Sequence, residues 1–331
     1  MVLEAPDSTQ TVLARVKASA RRESAAGFHK LAFQAMSTQC RVNFQAAPAL
    51  AAQFENDVLQ WVAWFEARYS RFIGDSLISR INTAAGQHWV EVDPDTDALF
   101  NLCQEMIFFT RGVFDPTSLP LIKLWNWKAT PPVIPTESQI RDAQELTGWR
   151  KIQRRPGSIF LPRAGMSIDL GGIGKEYAVD RVLTMALERG ITNVLVDFGN
   201  DVRVHGQPPE RGAWHIGLED PTKPGTCWTG VAVTNHGVAT SGDYIRRFVS
   251  QGRRYGHIID PRTGYPVNNG MLSASIIAPH CTFAGILSTA VFVLGPTEGM
   301  DLVQLCPGVE GAIITEKGRF QTKGFYAYAT S

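Results

Sequence analysis

The chain has 331 residues, 44% of them hydrophobic, enough to bury a large core in one big domain or two closely joined lobes. Lysine plus arginine (32) nearly balances aspartate plus glutamate (31), so no global field draws in a polyanion. No basic patch or RNA-binding signature supplies a local one, and nucleic acid is not an expected partner.

Five scattered cysteines without a CxxC pair argue against a disulfide framework and against structural zinc. No run of about 18 apolar residues is present, so no membrane span is expected. The start, "MVLEAPDSTQTVLARVKASARRESAAG", shows neither a signal-peptide core nor a lipobox, and the chain reads as cytoplasmic. Residues 1–28, rich in Ala, Ser and Arg, read as a flexible tail ahead of a domain covering 29–331.

From "HKLAFQAMSTQCRVNF" onward short strands alternate with helices. Phe54, Val58, Trp61, Val62, Phe65 and Tyr69 share one face of a helix predicted over 48–69, where the aromatics serve packing. A second helix is predicted near 95–111, carried by Leu99, Cys103, Met106 and Ile107. A proline-rich loop at 129–139 runs into "PTESQIRDAQEL", whose Thr-x-x-Gln entry suits a helix start. "SIDLGGIGKEYAVDRV" reads as a strand ending at Asp169, a turn at Gly171 and Gly172, and a helix over about 175–189 that stops at Gly190. A buried strand in "ITNVLVDFGND", strand-like pieces in "GVAVTNHGVATSGDY", "YGHIIDPRTGYPV" and "LSASIIAP", and an apolar helix "CTFAGILSTAVFVLG" follow. Regular βαβ repetition is absent, so the class is α+β.

The glycine turn would point backbone N–H groups and a helix dipole at one spot, with Lys175 adding charge, which is how phosphate is held. Glycines at a strand-to-helix turn serve geometry equally well, and the segment alone does not choose. "ATSGDYIRRF" suits a turn or a polar pocket around Asp243. In "HIIDPRTGYP" the Asp-Pro-Arg-Thr-Gly stretch is a turn, and His257 reads as either a structural histidine or a general base.

Taken together these segments resemble the ApbE family of FAD:protein FMN transferases. The resemblance rests on "FQAMST" (33–38), "YSRFIGDSLISRIN" (69–82), "FDPTSLPLIKLWNW" (114–127), "IDLGGIGKEYAVD" (168–180), "VDFGNDVRVHG" (196–206), "ATSGDY" (239–244), "HIIDPRTGYPV" (257–267) and "AGILSTAVFVLG" (284–295). It implies T-fold-related mixed sheets with packed helices. It also implies a Mg²⁺-dependent transfer of the FMN half of FAD to a threonine or serine hydroxyl of an acceptor flavoprotein, with AMP leaving. On this likeness Gly171, Gly172 and Lys175 are the pyrophosphate cradle. Met36, Phe72, Asp115, Thr117, Asp180, Ser241, Gly242 and Asp243 are flavin- and adenine-pocket candidates. His257 is the base that prepares the hydroxyl, and Asp260 shapes the site beside it.

The likeness breaks at the metal. The family's last helix is similar to Ala-Asp-Ala-x-x-Thr, whose Asp and Thr bind the cation with a main-chain carbonyl from the glycine turn. Here Gly285 stands in place of that Asp, Thr289 remains, and Gly174 would offer the carbonyl. Removing one charge at about 4 Å costs roughly 4 kcal/mol at an effective dielectric near 20, about a thousandfold in affinity. Asp169 and Asp243 are acids that could approach from elsewhere, while His280 and Cys281 suit softer metals. The family turn "GGD" is here Gly199-Asn200-Asp201, with asparagine tolerating positive φ, and Leu77 replaces a frequent glutamate. Three readings stay open: a transferase whose metal site is completed differently, an FAD-binding carrier or partner protein, and a slow FAD hydrolase yielding FMN and AMP.

Overall fold

A computed structural model of the chain describes residues 8–126, 128–130, 132–209, 211–243, 247–250 and 252–330. Trp127, Pro131, Tyr244, Ile245 and Arg246, which fall within the stretches singled out above, lie outside the described residues, as do residues 1–7 of the expected tail.

The rest of that tail is ordered. Helix α1 (Thr9–Ser19) buries Val12 and Val16, four apart on one face, in the main core, and strand β1 (Arg21–Ala25) pairs with the strand that follows. The polar, alanine-rich composition hides this because two valines and an edge ladder suffice to dock the segment. Strands β2 (Phe28–Ala35) and β3 (Thr38–Gln45) alternate buried and exposed positions, as a strand with one face on a core must. Met36 and Ser37 form the turn between them at φ of 50° and 60°, a left-handed pair uncommon outside Gly, Asn and Asp.

Helix α2 (Pro48–Tyr69) matches the expected bounds and starts with proline at its first position. Short α3 (Leu77–Thr83), then α4 (Pro94–Phe109), α5 (Leu119–Leu124) and α6 (Glu137–Glu145) follow, α6 entered through a full Thr136/Gln139 capping box. The glycine turn leads into α7 (Gly174–Leu187). Strands β4 (Val194–Phe198) and β5 (Asp201–His205) are joined at Gly199 and Asn200, both at positive φ. Then come β6 (Gly237–Gly242), β7 (Met271–Ala278), α8 (Cys281–Leu294), α9 (Pro296–Gln304), β8 (Glu310–Thr315) and β9 (Gly318–Gln321).

These nine strands form one sheet in which each pairs antiparallel with the next in chain order. Neighbouring residues point to opposite faces: Ile276 and Ile313 join a core under α8 and α9, while Ile277 and Ala312 join a core with Trp214, Val231 and Phe325. Helix α7 packs on β4 and β5, α8 packs on β6 and β7, and the two helices touch. Residues 166–170, expected as a strand end, carry no ladder: Asn82 clamps Ile168 through both amide groups (2.7 and 2.9 Å), and the Asp169 N–H goes to the Pro116 carbonyl (2.8 Å). Among the described residues no helix is long and apolar enough to cross a membrane.

A buried ion pair fixes the end of α2 against α4. The Arg68 guanidinium, fully buried, donates to Asp93 (2.6 Å), which also caps α4 by accepting from the Thr96 N–H (3.0 Å). Burial alone would raise the Asp93 carboxyl, but the Thr96 hydrogen bonds and the Arg68 charge outweigh it and hold it below the ordinary aspartate value. Arg68→Met should therefore cost about 3–5 kcal/mol at neutral pH, read by urea unfolding. Because the folded pKa is depressed, the contribution is present above about pH 4 and is lost as pH falls through the lower folded value. The gap between wild type and variant should narrow in that acid window.

Candidate active site

The glycine turn is braced from one side. The Gly171 N–H donates to Asp169 (3.0 Å), whose other oxygen accepts from Arg71 (2.9 Å), and the Arg71 guanidinium lies 4.0 Å from the centroid of the Phe72 ring. Phe72 is 76% exposed, so a large aromatic face stands in water beside the turn. Gly171 and Gly172 are exposed as well, and neither is at positive φ. A Cβ on Gly172 would find Phe114 at 3.6 Å, ordinary contact; one on Gly171 would stand 3.3 Å from the Asp169 carboxylate, which is tight. At 172, then, neither backbone nor internal packing demands glycine. Helix α7 begins after Ile173 with no side-chain cap, leaving a 14-residue helix whose positive end faces this bare turn.

Behind the turn lies a buried charge cluster. Lys175 donates to Asp201 at the start of β5 and lies 3.4 Å from the Glu176 carboxylate. Burial works against the ammonium charge, but Glu176 and Asp201 more than offset it and hold Lys175 above its usual value. Burial and then the Glu176 charge push the Asp201 carboxyl up to about 7, against the pull of Lys175. Both partners rise because two carboxylates share one ammonium. Lys175, expected to reach a phosphate, thus has its ammonium engaged by acids.

Helix α8 supplies the other wall. Gly285 faces α7: a Cβ there would meet Glu176 at 2.5 Å from Cγ and 3.1 Å from Cδ. Sequence reasoning missed Glu176; the only signal was an acid directly after Lys175, which reads equally well as a charge favourable to the helix dipole. Thr289, one turn past Gly285, shares a hydrogen bond with Ser241 (2.9 Å), which also bonds Ser288 (2.8 Å). Gly242 follows at the end of β6, and Asp243 beyond it is buried and ion-paired to Arg254 (3.4 Å), its carboxyl raised by burial. A Cβ on Gly256 would run into that carboxylate, so His257, partly exposed, emerges directly beside Asp243.

Other candidates are engaged structurally. Asp180 caps α8, accepting from the N–H groups of Cys281 and Thr282 (2.9 Å each), the Thr282 hydroxyl (2.6 Å) and Arg203 (3.1 Å). Asp115 accepts from the Thr117 N–H (2.8 Å), the Thr117 hydroxyl (2.6 Å) and the Trp149 N–H (3.0 Å), and Thr117 in turn accepts from Gly148 (2.6 Å). Asp260 grips Arg262 through both oxygens (3.0 and 2.8 Å) and orders the loop after His257, which Trp125 braces through the Gly264 carbonyl (2.7 Å). The Met36 N–H donates to Glu66 (2.9 Å), locking the strained turn to α2.

Among the described residues no three His, Cys, Asp or Glu side chains gather as a metal cluster. A cation here would need mixed oxygen donors. Asp169 is held by Arg71, Asp243 by Arg254, and burial keeps the Cys281 thiol neutral. One Glu176 carboxylate oxygen is buried without a hydrogen-bond partner; both Asp243 oxygens are as well, with the Arg254 guanidinium 3.4 Å away, but only Glu176 lies against Gly285 on the face of α8 that carries Thr289. At Gly174 a Cβ would stand 3.8 Å from Phe65, so glycine there is not forced by crowding. That set of carboxylate, hydroxyl and main-chain carbonyl fits a hard divalent ion. A cavity of about 430 Å³ lined by Asn269, Met300 and Phe320 shares no residue with this region.

A sequence profile of the ApbE family matches residues 36–313. The FAD:protein FMN transferase of Treponema pallidum (strain Nichols) is 32% identical over 262 residues, 72% of this chain and 71% of that protein. The Haemophilus influenzae protein of the same name is 30% identical over 273 residues, 79% and 78% of the two chains. Among solved structures, the ApbE protein of Thermotoga maritima superposes with a TM-score of 0.83 at 31% identity, covering 92% of this chain and 100% of that one. The Vibrio cholerae flavin transferase ApbE, with a TM-score of 0.81 at 24% identity over 93% and 99% of the chains, shares the fold.

Asp180→Ala removes the carboxylate that caps α8 and should lower the unfolding free energy by about 2 kcal/mol, measured by denaturation. Unchanged stability would free Asp180 for a ligand instead.

Proposed function

This chain belongs to the ApbE family, and from that premise we propose that it acts as an FAD:protein FMN transferase, moving FMN from FAD to a threonine or serine hydroxyl of an acceptor flavoprotein and releasing AMP. The observation that carries the reading for this chain is the bare turn at Gly171 and Gly172 in front of the uncapped start of α7, with the exposed ring of Phe72 beside it.

A diphosphate placed at this turn meets the positive end of α7 and approaches the main chain at Gly172 as no other residue would allow. The isoalloxazine ring has Phe72 to stack on. Lys175 acts one step back: it neutralises Asp201 and part of the Glu176 charge, so the cradle is not repelled by acids behind it. The Thr289 hydroxyl, the Gly174 carbonyl and a carboxylate would hold a Mg²⁺ ion, which would supply charge neutralisation for the diphosphate. Asp180 and Asp115 position α8 and the 115–118 turn, and Ser241 sets the rotamer of Thr289.

His257 accepts the proton of the acceptor hydroxyl. The oxygen of that hydroxyl bonds to the phosphorus on the FMN side, the bond from that phosphorus to the bridging oxygen breaks, and AMP carries the bridging oxygen away. Asp243, buried under Gly256, and Asp260, tied to Arg262, fix the segment from which His257 projects.

Incubation with FAD, Mg²⁺ and a flavoprotein subunit carrying an acceptor threonine should leave flavin fluorescence on the subunit in a denaturing gel; a dark band contradicts the assignment. His257→Ala should lower that transfer about 10²–10⁴-fold with FAD affinity unchanged. Gly172→Ala should leave thermal stability equal or slightly higher and weaken FAD binding at least tenfold by fluorescence titration. Full affinity in that variant would remove the cradle from the account.

A further inference from the structure

The contact between Glu176 and Gly285 is not explained by packing alone. Glu176 is 7% exposed, and one carboxylate oxygen has no partner, an arrangement proteins avoid unless a ligand completes it. The cluster around it sets two acidic side chains, Glu176 and Asp201, against one ammonium, Lys175, so with both acids ionised one negative charge is left over at the contact of α7 with α8. The glycine makes this possible. Its missing Cβ is the space through which the Glu176 side chain passes, since an alanine at 285 would already sit 2.5 Å from Glu176 Cγ. Four residues on, and so on the same face of α8, the Thr289 hydroxyl is partly exposed and fixed by Ser241.

We propose that Glu176 is the carboxylate ligand of a divalent cation bound where α7 meets α8, acting with the Thr289 hydroxyl, and that Gly285 is the space that admits it. The charge thus reaches the site from α7, on a side chain one methylene longer than aspartate, instead of from α8. This rests on the transferase reading, because the cation's place is beside the diphosphate cradle. A glutamate serving only to pair Lys175 would account for one of its oxygens and leave the other, and the glycine opposite, without a role.

The test is Mn²⁺ binding to the full chain, followed by loss of the free-ion EPR signal, with and without FAD. Wild type should bind; Glu176→Gln, of equal shape, should bind two to three orders of magnitude more weakly, the scale set by one unit charge at about 4 Å. Gly285→Asp alone crowds Glu176 and should bring no gain. The exchange Glu176→Ala/Gly285→Asp, which returns one carboxylate to the same place from α8, should recover affinity to within about tenfold of wild type. Thermal melts check folding, and should Glu176→Gln fail to fold, the exchange variant against Glu176→Ala decides. Equal binding by wild type and Glu176→Gln, or no binding by wild type at millimolar Mn²⁺ with FAD present, overturns the proposal. Mn²⁺ binding that depends on Glu176 without FMN transfer to any acceptor would leave the proposal standing and sink the transferase reading; transfer that persists in Glu176→Gln would do the reverse.

Discussion

The passage of the Glu176 side chain over Gly285 is the contact around which the rest of the site is arranged. It joins the first turn of α7 to the middle of α8, and through Lys175 and Asp201 it ties both to the start of β5. A glycine opposite gives that charged side chain its room, and the ammonium beside it, shared with Asp201, answers part of its charge. The same contact sets how α7 presents its positive end, where the proposed diphosphate would meet the protein.

The residues of this region come from positions 36 to 289, so no local segment could hold them together. The sheet does so by simple succession, each strand beside the next in sequence, with α7 on β4 and β5 and α8 on β6 and β7. Side chains then fix the details. Glu66 ties the Met36 turn to α2 and, through Arg15 (2.7 Å), to α1; Asp180 seats the start of α8; Ser241 fixes Thr289; Asp243 carries Gly256 and so His257. Asp115, Asp180 and Asp260, expected as site residues, each make such tethers, because a carboxylate accepting two or three hydrogen bonds is an efficient clamp for a loop or a helix end.

Local chemistry made much of this legible in the amino-acid sequence. The apolar face of α2, the Thr136/Gln139 entry to α6, the positive φ of Asn200 and the glycine-to-helix transition at 171–174 each follow from residues close together in the chain. What stayed hidden depends on distant partners. Val12 and Val16 gain a core only when α2 is in place, and Asn82 replaces a neighbouring strand for Ile168 from 86 residues away. Gly285 read alone is a lost carboxylate; beside Glu176 it is a vacancy for one. Nothing in the one-dimensional pattern links positions 176 and 285, since each is an ordinary residue for its helix.

The most direct measurement is the manganese anomalous signal in crystals of the full chain grown with FAD. The account predicts a single peak in coordination contact with the Glu176 carboxylate and the Thr289 hydroxyl, with the FAD diphosphate at the start of α7. A peak coordinated by other acids, with Glu176 still turned to Lys175 alone, would contradict it.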